Sequence, residues 1–333
     1  IATIVASQAV ISGAFSAAHQ AIRLGLLPRL VLKHTSSTAE GQIYLPVINW
    51  ALFGCVMALV VLFSSSTRLA SAYGLAVTGT LVLVSGLFLL FAATVRGWRW
   101  WQLALYGLLI GVPELLLLSA NSAKVLAGGW LTLLVAGTAL VTMTTWRQGY
   151  RRLTAARRAM EGPLTSFVGS LPGRVRRLPG VAVFPHPEPG TTPLALSECV
   201  RRFGILHEHV LIVRLAPMHT PHVPPDERIE VDAIGSGRDG VVHVTIRVGF
   251  ADSQDLPRNL ALAVDRSPEL HVDLDEALYF LSVLTVHPPH THRLRDWRRT
   301  LFLALERNQV NRSEVFRLPP TRTILLGEDL QLG

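Results

Sequence analysis

The stretch LASAYGLAVTGTLVLVSGLFLLFAATV, residues 69–95, contains no charged side chain. It is longer than the roughly 20 apolar residues that a helix needs to cross the hydrocarbon core of a bilayer. Because backbone polar groups must be bonded internally in lipid, such a stretch predicts a membrane-spanning helix. Apolar runs of similar composition lie on both sides of it. Together they predict five spans, at about 1–22, 47–66, 69–95, 101–120 and 126–146.

The charge of the chain changes abruptly after residue 146. Up to that point the acidic residues are Glu40 and Glu114, and all other acids lie in 147–333. This step predicts a membrane segment followed by a water-exposed domain. The net charge of +8 does not indicate a nucleic-acid partner, because basic residues cluster directly behind the last span.

Basic residues also predict the orientation of the spans. They are concentrated in the loops at 23–46 and 96–100 and in the segment after residue 147, and basic-rich loops stay in the cytoplasm. We therefore expect a multi-pass protein of the plasma (inner) membrane with a cytoplasmic C-terminal domain. The first residue would lie on the outer face, so we expect an odd number of helices to precede it.

Polar side chains within the spans are the candidate functional residues, because each is costly in hydrocarbon. Gln8 and Ser12 are four residues apart and share one helix face, where they could line a polar path or join two helices. Tyr73 and Thr78 could offer oxygen ligands to a cation, or the small residues beside them could serve packing alone. Glu114 could be proton-sensitive or could hold a neighbouring helix.

Residues 147–180 are basic and are interrupted by glycine and proline, which predicts a juxtamembrane linker. We expect its first part to be a helix that leaves the membrane. Its arginines could contact anionic lipid head groups, or could serve only to anchor the orientation. These arginines are Arg147, Arg151, Arg152, Arg157 and Arg158.

Beyond the linker, residues 181–333 show apolar alternation typical of strands. Strands are predicted at 181–184, 209–215, 227–234, 241–250 and 324–326, and helices at 256–264 and 294–308. This pattern indicates a small cytoplasmic α+β domain, through which a homodimer could form. Its histidines and cysteines lack the spacing of a closed zinc site, and no phosphate loop or nucleophile motif indicates an enzyme or a bound cofactor.

Several distinctive motifs follow one another along the chain. In the apolar half these are IVASQAVISGAFS at 4–16, GQIY-x-P-x-x-NW at 41–50, AYG-x-AVTGT at 72–80 and GGW at 128–130. In the polar half they are LHEHVLIV at 206–213 and VFRLPPTRTILLG at 315–327. Together they resemble the second half of the potassium uptake transporters of the KUP/HAK/KT family, and the resemblance covers essentially the whole chain.

This resemblance implies a secondary transporter built from inverted repeats, with an APC/LeuT-like membrane fold that is all α-helical. It implies potassium uptake by symport with protons. Among the polar residues of the spans, Tyr73 is then the candidate for a K⁺ contact, because its hydroxyl could serve as an oxygen ligand. The family's main cation-binding and proton-linked carboxylates lie in earlier helices, so we do not expect this chain to transport by itself. The alternative is a membrane-anchored domain that regulates a partner or senses a ligand.

Overall fold

The computed structural model shows helices in the first part of the chain and a six-stranded sheet in the second. The chain forms two compact units, Trp50–Thr144 and a second unit made of Ile1–Asn49 with Thr145–Gly333. The structure describes residues 2–30, 33–34, 43–62, 66–171, 175–188, 190–218, 220–233, 240–250, 252–266, 272–287, 297–309 and 312–331.

Six helices make up most of the first 161 residues. Within the described residues, two helical stretches are long and apolar enough to cross a membrane, Ala72–Thr94 and Trp100–Ser122, and Pro46–Val61 is a shorter apolar helix. The number of spans therefore stays a prediction. The helices are α1 (Ala2–Arg23), α2 (Pro46–Leu62), α3 (Ser66–Thr94), α4 (Trp100–Tyr106), α5 (Val112–Ser122) and α6 (Trp130–Glu161).

Small residues bring α3 close to α5 and to the start of α6. A Cβ atom placed on Gly74 would lie 2.9 Å from the Asn121 side chain, and one on Gly129 would lie 3.0 Å from Leu75. Thr132 at the start of α6 donates a hydrogen bond to the carbonyl of Ala72. Missing side chains thus let these helices approach, as is common where helices associate in lipid.

The first part of the basic segment at 147–180 is helical, because α6 continues to Glu161. Residues 147–161 are rich in arginine and alanine, both strong helix formers, and contain no proline. Arg157 and Glu161 add a favourable pair four residues apart. The helix ends at Gly162, whose φ of 62° is the left-handed conformation that commonly follows a helix. A short helix α7 (Leu164–Gly169) comes next.

The sheet differs from the α+β architecture that the sequence predicted. Its strand order is β5-β6-β4-β3-β7-β8, and all neighbours are parallel except β5 and β6. Parallel neighbours need crossover connections, and helices lie in those from β3 to β4 and from β7 to β8, so the domain is α/β. The strands are β3 (Arg176–Pro185), β4 (Ile205–Pro217), β5 (Ile229–Ala233), β6 (Val241–Val248), β7 (Leu278–His287) and β8 (Thr323–Gln331). A separate two-residue antiparallel pair consists of β1 (Lys33–His34) and β2 (Ile43–Tyr44).

Both faces of the sheet are buried, which explains why its central strands are continuously apolar. In β3, Val183 packs in the cluster on one face and Phe184 in the cluster on the other. Leu211 and Ile212 alternate in the same way in β4. The helices that accompany the sheet are α8 (Leu194–Glu198), α9 (Leu256–Arg266), α10 (Trp297–Arg307) and α11 (Arg312–Val315).

Candidate functional site

A carboxylate held between two helices is the most distinctive polar feature of the helical unit. Glu114 lies in the first turn of α5, and its Oε1 accepts a hydrogen bond of 2.8 Å from the hydroxyl of Ser85 on α3. Ser85 is only 7% exposed. The other oxygen, Oε2, is buried and has no hydrogen-bond partner among the described residues. Among the described residues, one oxygen of this carboxylate is therefore hydrogen-bonded and the other is buried without a hydrogen-bond partner.

Tyr106 at the end of α4 extends this contact. Its hydroxyl lies 3.3 Å from the Ser85 oxygen, and its ring packs against Phe88 with centroids 5.0 Å apart. A serine hydroxyl has one hydrogen atom, and Ser85 uses it in the hydrogen bond that it donates to Glu114. Tyr106 must therefore be the donor in the second hydrogen bond, so the three side chains form a directed chain from Tyr106 through Ser85 to Glu114.

A wide helical turn lies between Tyr106 and Glu114. Residues Gly107–Gly111 are π-helical, and the N–H of Val112 bonds to the carbonyl of Gly107, five residues back. In a regular α-helix two residues eight apart would point about 80° away from each other. The π turn absorbs one extra residue, so the pair behaves as though it were seven apart and shares a face to within about 20°.

The predicted cation ligands on α3 lie apart from this carboxylate. Tyr73 is 70% exposed and makes no hydrogen bond within the described residues. The hydroxyl of Thr78 is buried and donates 2.8 Å to the carbonyl of Gly74 in its own helix. Thr78 and Ser85 are seven residues apart on α3, or about 10 Å along the axis. A potassium contact at Tyr73 stays a prediction.

Gln8 and Ser12 lie on an exposed face of α1. Gln8 helps to line a shallow concavity together with Thr3, Ile4, Ser7 and Ile11. The polar face that the spacing predicted is thus open in this chain, and its role in an ion path stays a prediction.

The five arginines at the end of α6 divide into two groups. Arg157 bonds to Glu161 at 2.5 Å, and Arg158 bonds to Glu188 at 2.7 Å. The other three are exposed and make no ion pair within the part of the chain that the structure describes. These three, Arg147, Arg151 and Arg152, are the ones left available for a lipid head group.

A buried polar cluster at the end of α6 was not foreseen from the sequence. The Thr191 hydroxyl donates a hydrogen bond of 2.8 Å to Glu161 Oε2. Because its one hydrogen is used there, the same hydroxyl accepts the hydrogen bond from the N–H of His186 Nε2, also at 2.8 Å. Burial lowers the pKa of His186 to about 4, although Glu161 acts in the opposite direction. His186 is therefore neutral at pH 7. Nothing local in the sequence marks these residues, because Glu161 and Thr191 are 30 positions apart.

Models of two protein families match this chain. Residues 1–151 match the K⁺ potassium transporter integral membrane domain, and residues 179–332 match the K⁺ potassium transporter C-terminal domain. The first match includes Glu114, Tyr73 and the arginines up to Arg151. The two family models describe a class of potassium transporters in which an integral membrane domain precedes a C-terminal domain, and this chain matches both in that order.

Curated relatives match the whole length of the chain. A "Probable potassium transport system protein Kup" of Cutibacterium acnes is 45% identical, and one of Corynebacterium glutamicum is 46% identical, both over 100% of this chain and 52% of the relative. A Kup 3 protein of Bradyrhizobium is 38% identical over 100% of this chain and 51% of its own length. These relatives are named as transport proteins, not as enzymes. No solved structure matches the chain.

The chain belongs to the KUP potassium transporter family. It spans about half the length of the curated relatives that it matches.

Proposed function

We propose that the full-length protein takes up potassium across the plasma membrane by symport with protons. The observation that carries this proposal is the match of both parts of the chain, in order, to the two potassium transporter family models. The identity to proteins named for potassium transport, which extends over the entire chain, supports the same conclusion.

Within this function, Glu114 is the proton-linked group that the present chain supplies. An ionisable side chain inside a membrane helix is expensive and is retained when it has a task. Glu114 is bonded to Ser85 through one oxygen only, and no cation lies within salt-bridge distance of it among the described residues. Such a carboxylate can gain and lose a proton without breaking an ion pair.

Potassium would contact oxygen atoms elsewhere on α3, and the polar face of α1 would offer further oxygen atoms along an ion path. Hydroxyls and carbonyls are the ligands that replace the hydration shell of this ion. Tyr73 and Thr78 supply such oxygens on α3, and Gln8 and Ser12 supply them on α1. The main cation site would include carboxylates of earlier helices, so the present chain alone would not transport.

The same proposal includes a location and an orientation. The protein would cross the inner membrane several times in an APC/LeuT-like arrangement of inverted repeats, with the sheet domain in the cytoplasm. Arg147, Arg151 and Arg152 would contact anionic lipid heads, and the sheet domain could join two copies of the protein.

Growth complementation tests the proposed transport. The full-length protein should restore growth of a bacterium that lacks potassium uptake when external potassium is low, whereas the present chain should not. The full-length variant Ser119→Ala is the control and should restore growth as well, because the exposed Ser119 hydroxyl bonds only within its own helix. Failure of a well-expressed full-length protein to restore growth would contradict the proposal.

Thiol labelling tests the orientation. In the full-length protein a cysteine at Ser65 should react with an impermeant reagent added outside intact cells, and a cysteine at Ser36 should not. The charges of the loops motivate both positions, which lie outside the described residues. The opposite labelling pattern would reverse the proposed orientation.

A further inference from the structure

Helices α3 and α4 each place a hydroxyl group in a hydrogen-bonded chain that ends at Glu114 on α5. We propose that Ser85 and Tyr106 are positioning residues for proton exchange at Glu114. They hold Oε1 of the carboxylate and leave Oε2 as the atom that takes up and releases the proton. This inference rests on the proposed potassium–proton symport, which it deepens by naming the atoms at which one proton binds.

The direction of the hydrogen bonds leaves Oε1 of Glu114 as an acceptor in both protonation states. Tyr106 donates to Ser85, and Ser85 donates to Oε1 of Glu114. When Oε2 gains a proton, Oε1 becomes the carbonyl oxygen of a neutral acid and still accepts from Ser85. Both protonation states therefore keep the same hydrogen bonds. The proton binds at Oε2 and leaves from Oε2 without rearranging the two hydroxyl groups.

The second oxygen of Glu114, Oε2, differs from Oε1 in its surroundings. Glu114 Oε2 is buried but has no hydrogen-bond partner within the described residues. Buried polar atoms are nearly always bonded, and an exception requires a reason. A proton-exchange site gives such a reason, because an acceptor already bonded to a fixed donor would be unavailable to an incoming proton.

The hydrogen bonds of Ser85 to both Tyr106 and Glu114 require an irregular helix turn between these two residues. The π turn at Gly107–Gly111 brings Tyr106 and Glu114 onto one face, toward Ser85. Single π turns are rare and are frequently found at functional sites. Phe88 fixes the Tyr106 ring from the side of α3. The wide turn therefore serves to align the three side chains.

Among the described residues, the side chains that face Glu114 from the neighbouring helices are uncharged. The α3 helix faces it with the neutral Ser85, and α4 faces it with Tyr106. Among the side chains that the structure describes in Trp50–Thr144, the remaining ionisable ones are Cys55 and Tyr73 on helices, and Arg96, Arg99 and Lys124 in the connections between helices.

Uptake measured against pH in proteoliposomes tests this role with the full-length protein. Ser85→Ala removes the donor to the carboxylate, which favours the protonated acid. The midpoint of the pH dependence should therefore move to higher pH by about one to two pH units, the shift expected when a hydrogen bond to a charged group is lost. Tyr106→Phe should move it in the same direction by less, because it acts through Ser85.

Two further variants separate a positioning role from a packing role. Ser85→Thr keeps the hydroxyl and should keep the wild-type midpoint. Ser119→Ala removes a hydroxyl that does not contact Glu114 and should also keep it. The proposal is overturned if Ser85→Ala has the wild-type midpoint, or if Ser85→Thr shifts the midpoint as far as Ser85→Ala does.

A spectroscopic titration separates this inference from the proposed function. The infrared band of the protonated carboxyl group that disappears in Glu114→Gln can be followed against pH in the purified full-length protein, with no transport involved. A shifted midpoint of this band in Ser85→Ala supports the positioning role even if the wild-type protein moves no potassium. An unshifted band overturns the positioning role even if potassium uptake is normal.

Discussion

The sheet domain, residues 176–331, and the unit Trp50–Thr144 place their large apolar side chains in opposite ways. In the sheet domain, the large apolar residues Phe184 and Ile212 are inside and almost completely inaccessible. In the unit Trp50–Thr144, Leu87 and Leu116 are mostly exposed, whereas the hydroxyl-bearing Thr78 and Ser85 are buried. The sheet domain is apolar inside, and the helical unit is apolar outside.

This difference shows that the sheet domain and the helical unit are each stabilised internally by different forces. The sheet domain is stabilised by removing apolar surface from water, the dominant favourable contribution to folding in aqueous solution. Helices in lipid gain nothing from burying leucine, so they associate through close backbone approach and hydrogen bonds. Gly74 beside Asn121 and Ser85 beside Glu114 are contacts of these two kinds. Polar residues in the interior of the helical unit are thus its candidates for function.

A pair of phenylalanine substitutions tests this contrast and should give the largest effect. Phe184 in β3 is 1% exposed, whereas Phe91 in α3 is 47% exposed. Phe184→Ala should lower the free energy of unfolding of the sheet domain by about 3–5 kcal/mol, through lost burial and a cavity. Phe91→Ala should cost far less. Thermal unfolding in detergent, followed by circular dichroism, measures both. Equal losses would mean that the two units do not differ in the way described.

The stability of the sheet domain should depend on pH through His186. Its pKa in the folded protein, about 4, lies below the ordinary value of 6.5 because the side chain is buried. As the pH falls from about 6.5 to about 4, the unfolded chain gains a proton that the folded chain refuses. The free energy of unfolding should therefore decrease by up to about 3 kcal/mol over that interval.

His186→Gln should remove much of this decrease, and thermal unfolding at pH 7, 6, 5 and 4 measures it. Part of the decrease should remain, since burial also lowers the pKa of His207 and His243. His209→Gln is the matched control, because His209 is exposed. An unchanged pH dependence in His186→Gln would show that the acid sensitivity of the domain has another source.

The arginines after the last predicted span sharpen the comparison where lipid is expected to give way to water. Replacing Arg147, Arg151 and Arg152 by glutamine should weaken the binding of anionic lipid by about 1 kcal/mol per residue. Arg157 and Arg158 already bond to acids, so their replacement should leave lipid binding nearly unchanged. Native mass spectrometry of the protein from mixed-lipid nanodiscs counts the lipids retained. Similar losses in both variants would contradict the division of the arginines into two groups.

The smallest effect is expected at Tyr73, tested in the full-length protein. If its phenol contacts potassium, Tyr73→Phe should weaken the apparent potassium affinity about twofold to tenfold, the usual consequence of losing one polar contact. Tracer uptake against potassium concentration measures this, with the amount of protein in the membrane checked in parallel. An unchanged affinity in a well-expressed variant would remove Tyr73 from the cation site.

Much of the sheet could be predicted from the sequence, because alternation of apolar residues is a local signal. The predicted strand 209–215 lies within β4, 241–250 overlaps β6, and the predicted helix 256–264 lies within α9. Strand β7 was missed, although LYFLSVLTVH has the aromatic and β-branched composition of a strand. Parallel pairing was missed as well, because the direction of a neighbouring strand depends on crossovers that no short window contains.

The candidate site could be predicted only in part, for a similar reason. An acid within an apolar span attracts attention by itself, so Glu114 was found. Ser85 resembles any small residue of a membrane helix, and Tyr106 gains significance only through a π turn that moves it onto the face of Glu114. The cluster of Glu161, His186 and Thr191 likewise depends on contacts between distant positions.

The strand order of the sheet has a consequence for biosynthesis. Strand β3 pairs with β4 soon after it in the chain, but its other neighbour, β7, is synthesised about 100 residues later. At a translation rate of about 5–20 residues per second, one edge of β3 stays unpaired on the ribosome for about 5–20 s. Open strand edges invite pairing with other chains. The nascent protein therefore passes through an interval in which chaperones, or the order in which its parts emerge, must protect the centre of its future sheet.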